Sequence, residues 1–436
     1  MRWLNRVMLR LLIENTLDRR IAFMIIKDIG RVVTGKTPLT KVEKYYGGDI
    51  MFISPSDLHG DYLIEKSEKT ITEEGLKSIE SNIIKGISVL TGCIGWDMGN
   101  VAMCNSRCAT NQQINAITDF NDELVDPKYI YYWLKGKKEY LFSIASVTRT
   151  PILSKSVFEN IDIPLPSLKV QKKIVKLVSC IDEKIRKNNH INDYLEEMAK
   201  TIYDYWFVQF DFPDENGKPY KSSGGKMVWN DKLNLQIPNT WQSTELSSYG
   251  KIISGGTPST ENEDFYADDG IAWITPNDLS NNTSNMFISH GERDISLQGL
   301  NNSSATLIPS SSILLSTRAP IGYIAISMNE LTTNQGFKTL VPNDTDNTSF
   351  LYYLIKRNIP YLEQMGTGTT FKEVSKDSME HLAVILPSNN ILIHFFQKIK
   401  PYIMLRKSYE QETKKLISIR NWLLPIVMNG QATIED

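Results

Sequence analysis

Cysteine and histidine are scarce in this chain, with four of the first and five of the second in 436 residues. Cys93, Cys104, Cys108 and Cys180 fit free thiols in a reducing compartment rather than a disulfide framework. No second Cys/His pair stands at metal-site spacing from Cys104 and Cys108, so no zinc is expected. Long apolar runs are missing too, and the leading MRWLNRVMLRLL threads arginines through its apolar residues, unlike a signal peptide. A cytoplasmic protein that leaves membranes alone is the expectation. Gly-x-Gly-x-x-Gly, Gly-x-Ser-x-Gly and His-Glu-x-x-His are absent, as is the Asn-Pro-Pro-aromatic or Asp-Pro-Pro-aromatic tetrapeptide of amino-methyltransferases. A net charge of only −2 argues against a uniformly basic coat for nucleic acid.

What is present begins with size. A chain of 436 residues exceeds one ordinary core and implies two or more domains, and its 41% hydrophobic and 22% charged residues are those of a folded protein. Charge is spread unevenly: Lys135 to Lys187 holds 12 Lys/Arg against 5 Asp/Glu, whereas Glu261 to Asp294 holds one Arg against 8 Asp/Glu. Such a stripe suits a polyanion on one side and a protein on the other, or equally a solvated helix face. One motif invites a nucleotide reading, because GRVVTGKTP (Gly30 to Pro38) satisfies the phosphate-loop pattern. That loop needs a helix starting at its lysine, and Pro38 pushes Thr37 toward extended backbone instead.

The chain is written twice. IGRVVTGKTPLTKVEKYYGGDIMFISPSDL (Ile29 to Leu58) lines up with YGKIISGGTPSTENEDFYADDGIAWITPNDL (Tyr249 to Leu279), about 220 residues later. Thr110-Asn111-Gln112 faces Thr333-Asn334-Gln335, Tyr131-Tyr132 faces Tyr352-Tyr353, Ser154-Lys155 faces Ser375-Lys376, and Leu165-Pro166 faces Leu386-Pro387. Gly35-Lys36-Thr37-Pro38 meets Gly255-Gly256-Thr257-Pro258, so the nominal phosphate lysine is not shared and the common element is a turn before proline. The histidines (His59, His190, His290, His381, His394) occupy no matched positions, which favours surface or packing roles. Duplication without a duplicated catalytic set points to a binder.

Each copy reads as short strands between Gly, Pro, Asn and Ser turns, with one or two helices. A long helix follows each copy. Ile174, Leu177, Ile181, Ile191, Leu195, Met198 and Ile202 mark a heptad seam interrupted at Lys184 and Asn188; Phe395, Tyr402, Leu405, Tyr409, Leu416, Ile419 and Leu423 mark its counterpart. The two helices are expected to pack on each other. FDFPDENGKPYKSSGGKMVW (Phe210 to Trp229) reads as a linker. The expected divisions are an N-terminal extension at 1–24, first head 25–168, central helix 169–210, linker 211–240, second head 241–388 and C-terminal helix 389–436. The extension reads as a basic amphipathic helix or a start-site artefact.

These elements resemble the specificity subunit of type I DNA restriction-modification enzymes. The carriers are GKTPLT and GGTPST, ISPSDL and ITPNDL, the paired TNQ, the junction LSKS…IPLPSLKVQKKI (Leu153 to Ile174) and the ending IRNWLLPIVMNGQ (Ile419 to Gln431). The resemblance runs from about Ile25 to the C-terminus. It implies an α+β fold: two repeated, strand-rich target-recognition domains joined by two long antiparallel coiled-coil helices with pseudo-twofold symmetry. It further implies a non-catalytic subunit that reads a bipartite double-stranded DNA target, the helices setting the unread spacer. The implied partners are two methyltransferase (M) subunits using S-adenosylmethionine and restriction (R) subunits using ATP and magnesium, with no cofactor in this chain. A catalytic DNA methyltransferase or nuclease, and a scaffold that has lost DNA reading, are the alternatives.

Asn and Gln suit adenine, Arg suits guanine, and Ser or Thr suit several bases. The expected DNA contacts in the first head are Lys36, Thr37, Ser56, Asn111, Gln112, Gln113, Thr148, Arg149 and Lys155. In the second they are Thr257, Asn277, Arg318, Asn334, Gln335, Lys338, Thr369, Thr370 and Lys376. Among these, Lys36, Lys155, Lys338 and Lys376 are candidates for phosphate. The glycine that follows TNQ in the family is Gly336 in the second copy but Gln113 in the first; SVTRTP (Ser146 to Pro151) replaces the turn that the second copy keeps as GTGTT (Gly366 to Thr370). Two different half-sites are expected.

Overall fold

Where aliphatic and β-branched residues alternate with short polar ones and are then closed by glycine or asparagine, the chain forms short strands, and these assemble twice into the same layout. The computed structural model describes residues 22–429, apart from 61, 147–148, 319 and 367–371. It divides into two compact units, one of Met1–Arg186 with Lys415–Asp436 and one of Lys187–Lys414. The N-terminal extension falls almost wholly outside the described residues.

In the first unit a four-stranded antiparallel sheet runs in the order Arg31–Thr34, Ile114–Thr118, Ser88–Gly92, Val101–Cys104. Every residue of its two central strands is buried, which demands cover on both faces. A three-stranded sheet places Tyr46–Ile53 between Lys69–Ile71 and Cys108–Thr110, the last pairing parallel. The helix Pro127–Lys135, started by proline at its first position and capped by Asp126, buries Tyr129 through Leu134. Finally Ala22–Ile25 pairs antiparallel with Asp162–Leu165, bringing the beginning and end of the head together.

The second unit repeats this plan. Gly250–Ser254, Phe337–Pro342, Ile313–Ser316 and Ile324–Ser327 form the matching antiparallel sheet, extended by a parallel Phe287–Ile288. Tyr266–Ala267, Arg293–Ile295, Ile271–Ile274 and Thr332–Thr333 form the second sheet. Gln242–Glu245 closes on Ala383–Leu386, as Ala22–Ile25 closes on Asp162–Leu165. The stretch read as a linker is folded: Met227–Asn230 and Leu235–Pro238 form a hairpin. Phe212 stacks between Tyr220 and Trp241, at 4.8 and 4.9 Å between ring centroids, and the Asp211 carboxylate accepts from the Ser222 amide and hydroxyl. Proline and glycine here make turns within a packed segment rather than a flexible tether.

The long helices occupy Leu168–Tyr203 and Asn389–Met428, and each unit owns a stretch of both. Their buried line follows the expected seam only in part. Met198 and Leu405 are 46% and 49% exposed, whereas Asp182, Asn188, Asn192, Arg406, Glu410 and Thr413 are buried. Ile174, Leu195, Phe395, Leu416 and Leu423 of the expected seam are buried, but polar residues share the inner line, some paired there and others, such as Asn192 Oδ1 and Thr413 Oγ1, without a hydrogen-bond partner among the described residues. In the first unit Arg420 donates to Asp182 at 2.8 Å; in the second Asn188 donates to Glu412 at 2.9 Å and Arg406 bonds Glu196. As the first helix ascends in number its partner descends, so the helices are antiparallel.

The matched Tyr and Lys of the head helix lie near this line in both units, and in the second they bond to it directly. In the second, Tyr353 donates to Glu196 at 3.0 Å and Lys356 reaches it at 2.7 Å. In the first, the matching Tyr132 is pushed up by burial and then by the neighbouring Asp182 carboxylate, while burial lowers the matching Lys135 against the pull of Asp182. Arg406 also binds Glu410 at 2.8 Å, and Glu410 accepts from the Met286 and Phe287 amides at 2.8 and 3.0 Å.

Burial works to raise the Glu196 carboxyl, but Arg406 and Lys356 overcome it and hold the group below its usual 4.5. Its contribution to stability is therefore present above pH 4.5 and lost as pH falls through the lower folded value. Glu196→Gln is expected to cost roughly 1–3 kcal/mol near neutrality by leaving Arg406 with Glu410 as its one carboxylate partner. Urea unfolding of both proteins should show that gap narrowing below pH 4.5; a gap that is constant with pH would refute the assignment.

Candidate nucleic-acid interface

Three turns meet at one end of each sheet. The first follows the opening edge strand, Gly35 to Pro38 or Gly255 to Pro258. The second is a capped turn: Ser54 and Asp57 form a capping box in the first head, and Thr275 and Asp278 form it in the second. The third is Thr-Asn-Gln, pinned when Asn111 N donates to Ile53 O and Asn334 N to Ile274 O, each at 3.0 Å. A Cβ on Gly35 would fall on the carbonyl oxygen of Asn111, and one on Gly255 on that of Asn334. These glycines are required because the first turn lies against the third. No helix begins at Lys36, so the phosphate-loop geometry is not formed.

Side chains lock the turns together. Thr37 donates to Gln112 at 2.8 Å, and Thr257 donates to Gln335 in the same way. Tyr46 and Tyr266 bond the carbonyls of Pro38 and Pro258. Asn111 takes the Gln113 amide and gives to its side-chain oxygen, and Asn334 takes the Gly336 amide. Asn111 and Asn334 thus shape their turns, leaving Gln112 and Gln335 as the exposed members. Ser56 bonds Ser54, while Asn277 stands exposed on the matching turn. Lys36 is exposed at the rim.

Other expected contacts lie elsewhere or are engaged. Lys155 and Lys376 follow the N-capping Ser154 and Ser375 and pair with Glu159 and Glu380. Lys155 lines a cleft with Lys27 and Arg31, at the far end of Arg31–Thr34 from Lys36. Lys338 is buried, and Glu373 takes both Lys338 at 3.3 Å and Arg318 at 3.0 Å. Burial tends to raise Glu373, but these two cations hold it below the usual carboxylate range. Arg149 is exposed beside the loop that starts at Cys93; Thr148, Thr369 and Thr370 lie outside the described residues.

The sequence reading missed two residues. Trp96, 85% exposed, tops a loop with Gly95 and Gly99 at positive φ; His59 pairs with Asp97 there at 2.8 Å, and Asn100 accepts from Lys138 at 3.1 Å. Glu373 has no signal in the sequence, since its partners are remote in number. Among the described residues, no three His, Cys, Asp or Glu gather as metal ligands, and no helix is long and apolar enough to cross a membrane. Exposed Lys36 and Gln112 in the first head, and Asn277, Gln335 and Arg318 in the second, carried on or beside rigid turns, are suited to hydrogen-bonding an extended polar polymer such as DNA.

The comparisons agree on the class. The sequence pattern of the family described as "Type I restriction modification DNA specificity domain" matches residues 20–197 and again 238–415. The chain belongs to that family, and it is the DNA-specificity rather than the catalytic type of subunit. The MjaIX specificity subunit of Methanocaldococcus jannaschii is 28% identical over 423 residues, covering 94% of this chain and 93% of its own. The HindI specificity subunit of Haemophilus influenzae is 26% identical, covering 71% and 78%. The crystal structure of the S subunit from M. genitalium shares the fold, with a TM-score of 0.56 at 14% identity over 95% of this chain and 98% of that one.

The close approach of the first and third turns predicts that Gly255→Ala lowers stability by about 1–3 kcal/mol. Gly60→Ala, with open space around it, should stay within about 0.5 kcal/mol of the parent. Denaturant melts of the two variants check this, and equal melts would count against the packing account.

Proposed function

We propose that each head reads one half of a bipartite double-stranded DNA target through its three-turn cluster, and that the paired helices set the unread spacer. The observation that carries this reading is that the same backbone bonds build the cluster twice while the side chains presented on it differ, as Lys36 and Gly256, or Gln113 and Gly336, do. Two copies of one frame with different polar decoration suit two unlike half-sites. The complex is completed by two methyltransferase subunits, which bring S-adenosylmethionine, and by restriction subunits, which bring ATP and magnesium. This chain holds no cofactor, and the assembly works in the cytoplasm.

Mapping methylated adenines genome-wide with and without this gene tests the reading. Loss of one bipartite motif is expected, and an unchanged methylation pattern would overturn it. Methyl transfer by the purified chain alone would favour a catalytic role instead. Two finer outcomes follow. Lys36→Ala should weaken DNA binding equally across sequences and lower the salt slope by about one. Deleting one heptad from each long helix (Glu183 to Asn189 and Thr413 to Ile419) removes roughly 10 Å of helix. The spacer should shorten by about three base pairs at ~3.4 Å each, with both half-sites kept; altered half-sites would contradict the spacer role.

A further inference from the structure

Backbone pairing sets the two heads in register at a position beyond the reach of sequence alignment. Cys93 N donates to Gln113 O and Leu153 N to Cys93 O, at 2.7 and 2.9 Å; Thr317 N donates to Gly336 O and Val374 N to Thr317 O, at 2.8 and 2.9 Å. One residue further along, Ile94 bridges Ile152 in the first head and Arg318 bridges Glu373 in the second. The same point of the frame, beside the Thr-Asn-Gln turn, therefore carries an apolar pair in one head and an ion pair in the other. Ile152 is 39% exposed and Arg318 shows 46% of its side chain.

The atoms used are informative. Glu373 Oε2 forms an ion pair with Arg318 whose shortest contact is to Nε at 3.0 Å, while its Oε1 accepts from Lys338 Nζ at 3.3 Å. Among the described residues nothing takes Nη1 or Nη2 of Arg318. The carboxylate holds the guanidinium by charge at its Nε side, at the strand bridge that joins the two residues, and the two outer nitrogens remain as a pair of donors. That pair matches the O6 and N7 acceptors on the major-groove edge of guanine, the commonest specific contact of arginine with DNA. With two cations around one carboxylate the cluster keeps a net positive charge, so Glu373 does not repel DNA.

We propose that Arg318 reads a guanine in the half-site of the second head and that Glu373 is the residue that positions it. The inference rests on the reading of the second head as a DNA reader. The first head has no charged pair at the matching place, so its half-site owes no guanine to it; Ile94 and Ile152 there offer aliphatic surface of the kind that meets a thymine methyl.

The complex of this chain with its methyltransferase subunits is used to select DNA from a randomised pool, and the methylated sites are mapped in parallel. Wild type should require guanine at one position of one half-site at least. Arg318→Lys keeps the charge but not the fork. It should lower discrimination at that single position by at least about fivefold and leave the other half-site untouched. Glu373→Gln should relax the same position without weakening binding to random DNA, an outcome that simple structural damage would not give. Arg318→Ile combined with Glu373→Ile, which copies the first head, should abolish the preference. A wild-type half-site without guanine overturns the inference, and so does Arg318→Lys with unchanged base preference, the behaviour of a phosphate contact. A wild-type complex that selects no bipartite sequence overturns the DNA-reading function itself, and is thereby distinguished from failure of the Arg318 assignment alone.

Discussion

Buried charge on the inner line of the long helices is the constraint to which both units answer. Asp182 and Glu196 are carboxylates that burial alone would penalise by several kcal/mol. Each is answered by an arginine of the other helix, Arg420 or Arg406. In the second unit the head adds Tyr353 and Lys356 at Glu196; in the first, the matching Tyr132 and Lys135 lie within electrostatic reach of Asp182, while Lys135 donates to Tyr131 at 2.6 Å. A head that shifted on its helices would strand these groups. An apolar seam of leucines would give as much adhesion but would tolerate sliding; paired charges with fixed partners define one seating. Glu410 extends the same logic by capping the Met286 and Phe287 amides.

With the head seated, the remaining problem is to present polar side chains without letting them collapse on one another. The three-turn cluster meets it by assigning tasks. Asn111 and Asn334 spend their carbonyl oxygens on backbone amides two residues on, and the capping boxes consume Asp57 and Asp278. Gly35 and Gly255 let one turn lie on another. The neighbours Gln112, Gln335, Lys36 and Asn277 are then free to face solvent. A frame held by backbone and by a few side chains common to both copies tolerates replacement at the positions between. Arg318 with Glu373 in one head and Ile94 with Ile152 in the other is such a replacement.

Much of this was legible. The repeated GxTP, the S/TPxDL turn and TNQ each impose their own local geometry, through a required glycine, a capping box and an Asx-type turn, so their recurrence in order announced two copies of one fold. The heptad spacing announced long helices but only part of their buried line. Met198 and Leu405 lie outward while Arg406 turns inward to Glu196, a pairing that a pattern of apolar residues does not register. The Pro/Gly-rich stretch after the first helix misled for a related reason: turns look alike whether they link domains or fold within one, and only Phe212 against Tyr220 and Trp241 decides it.

The sequence by itself determined the duplication, the absence of the common catalytic motifs and the family, because these are properties of residue order and local backbone preference. The tertiary structure decided which polar residues are working parts of the frame and which are presented. Lys338 and Lys36 read alike as lysines near the repeated turns, yet one is buried against Glu373 and the other is exposed at the rim. Glu373 and Lys338 are separated by 35 residues along the chain, and pairing across such a distance is fixed by strand register and loop closure rather than by any local preference. Solvent exposure and charge pairing at the reading surface are non-local quantities, so they appear only when the chain is folded.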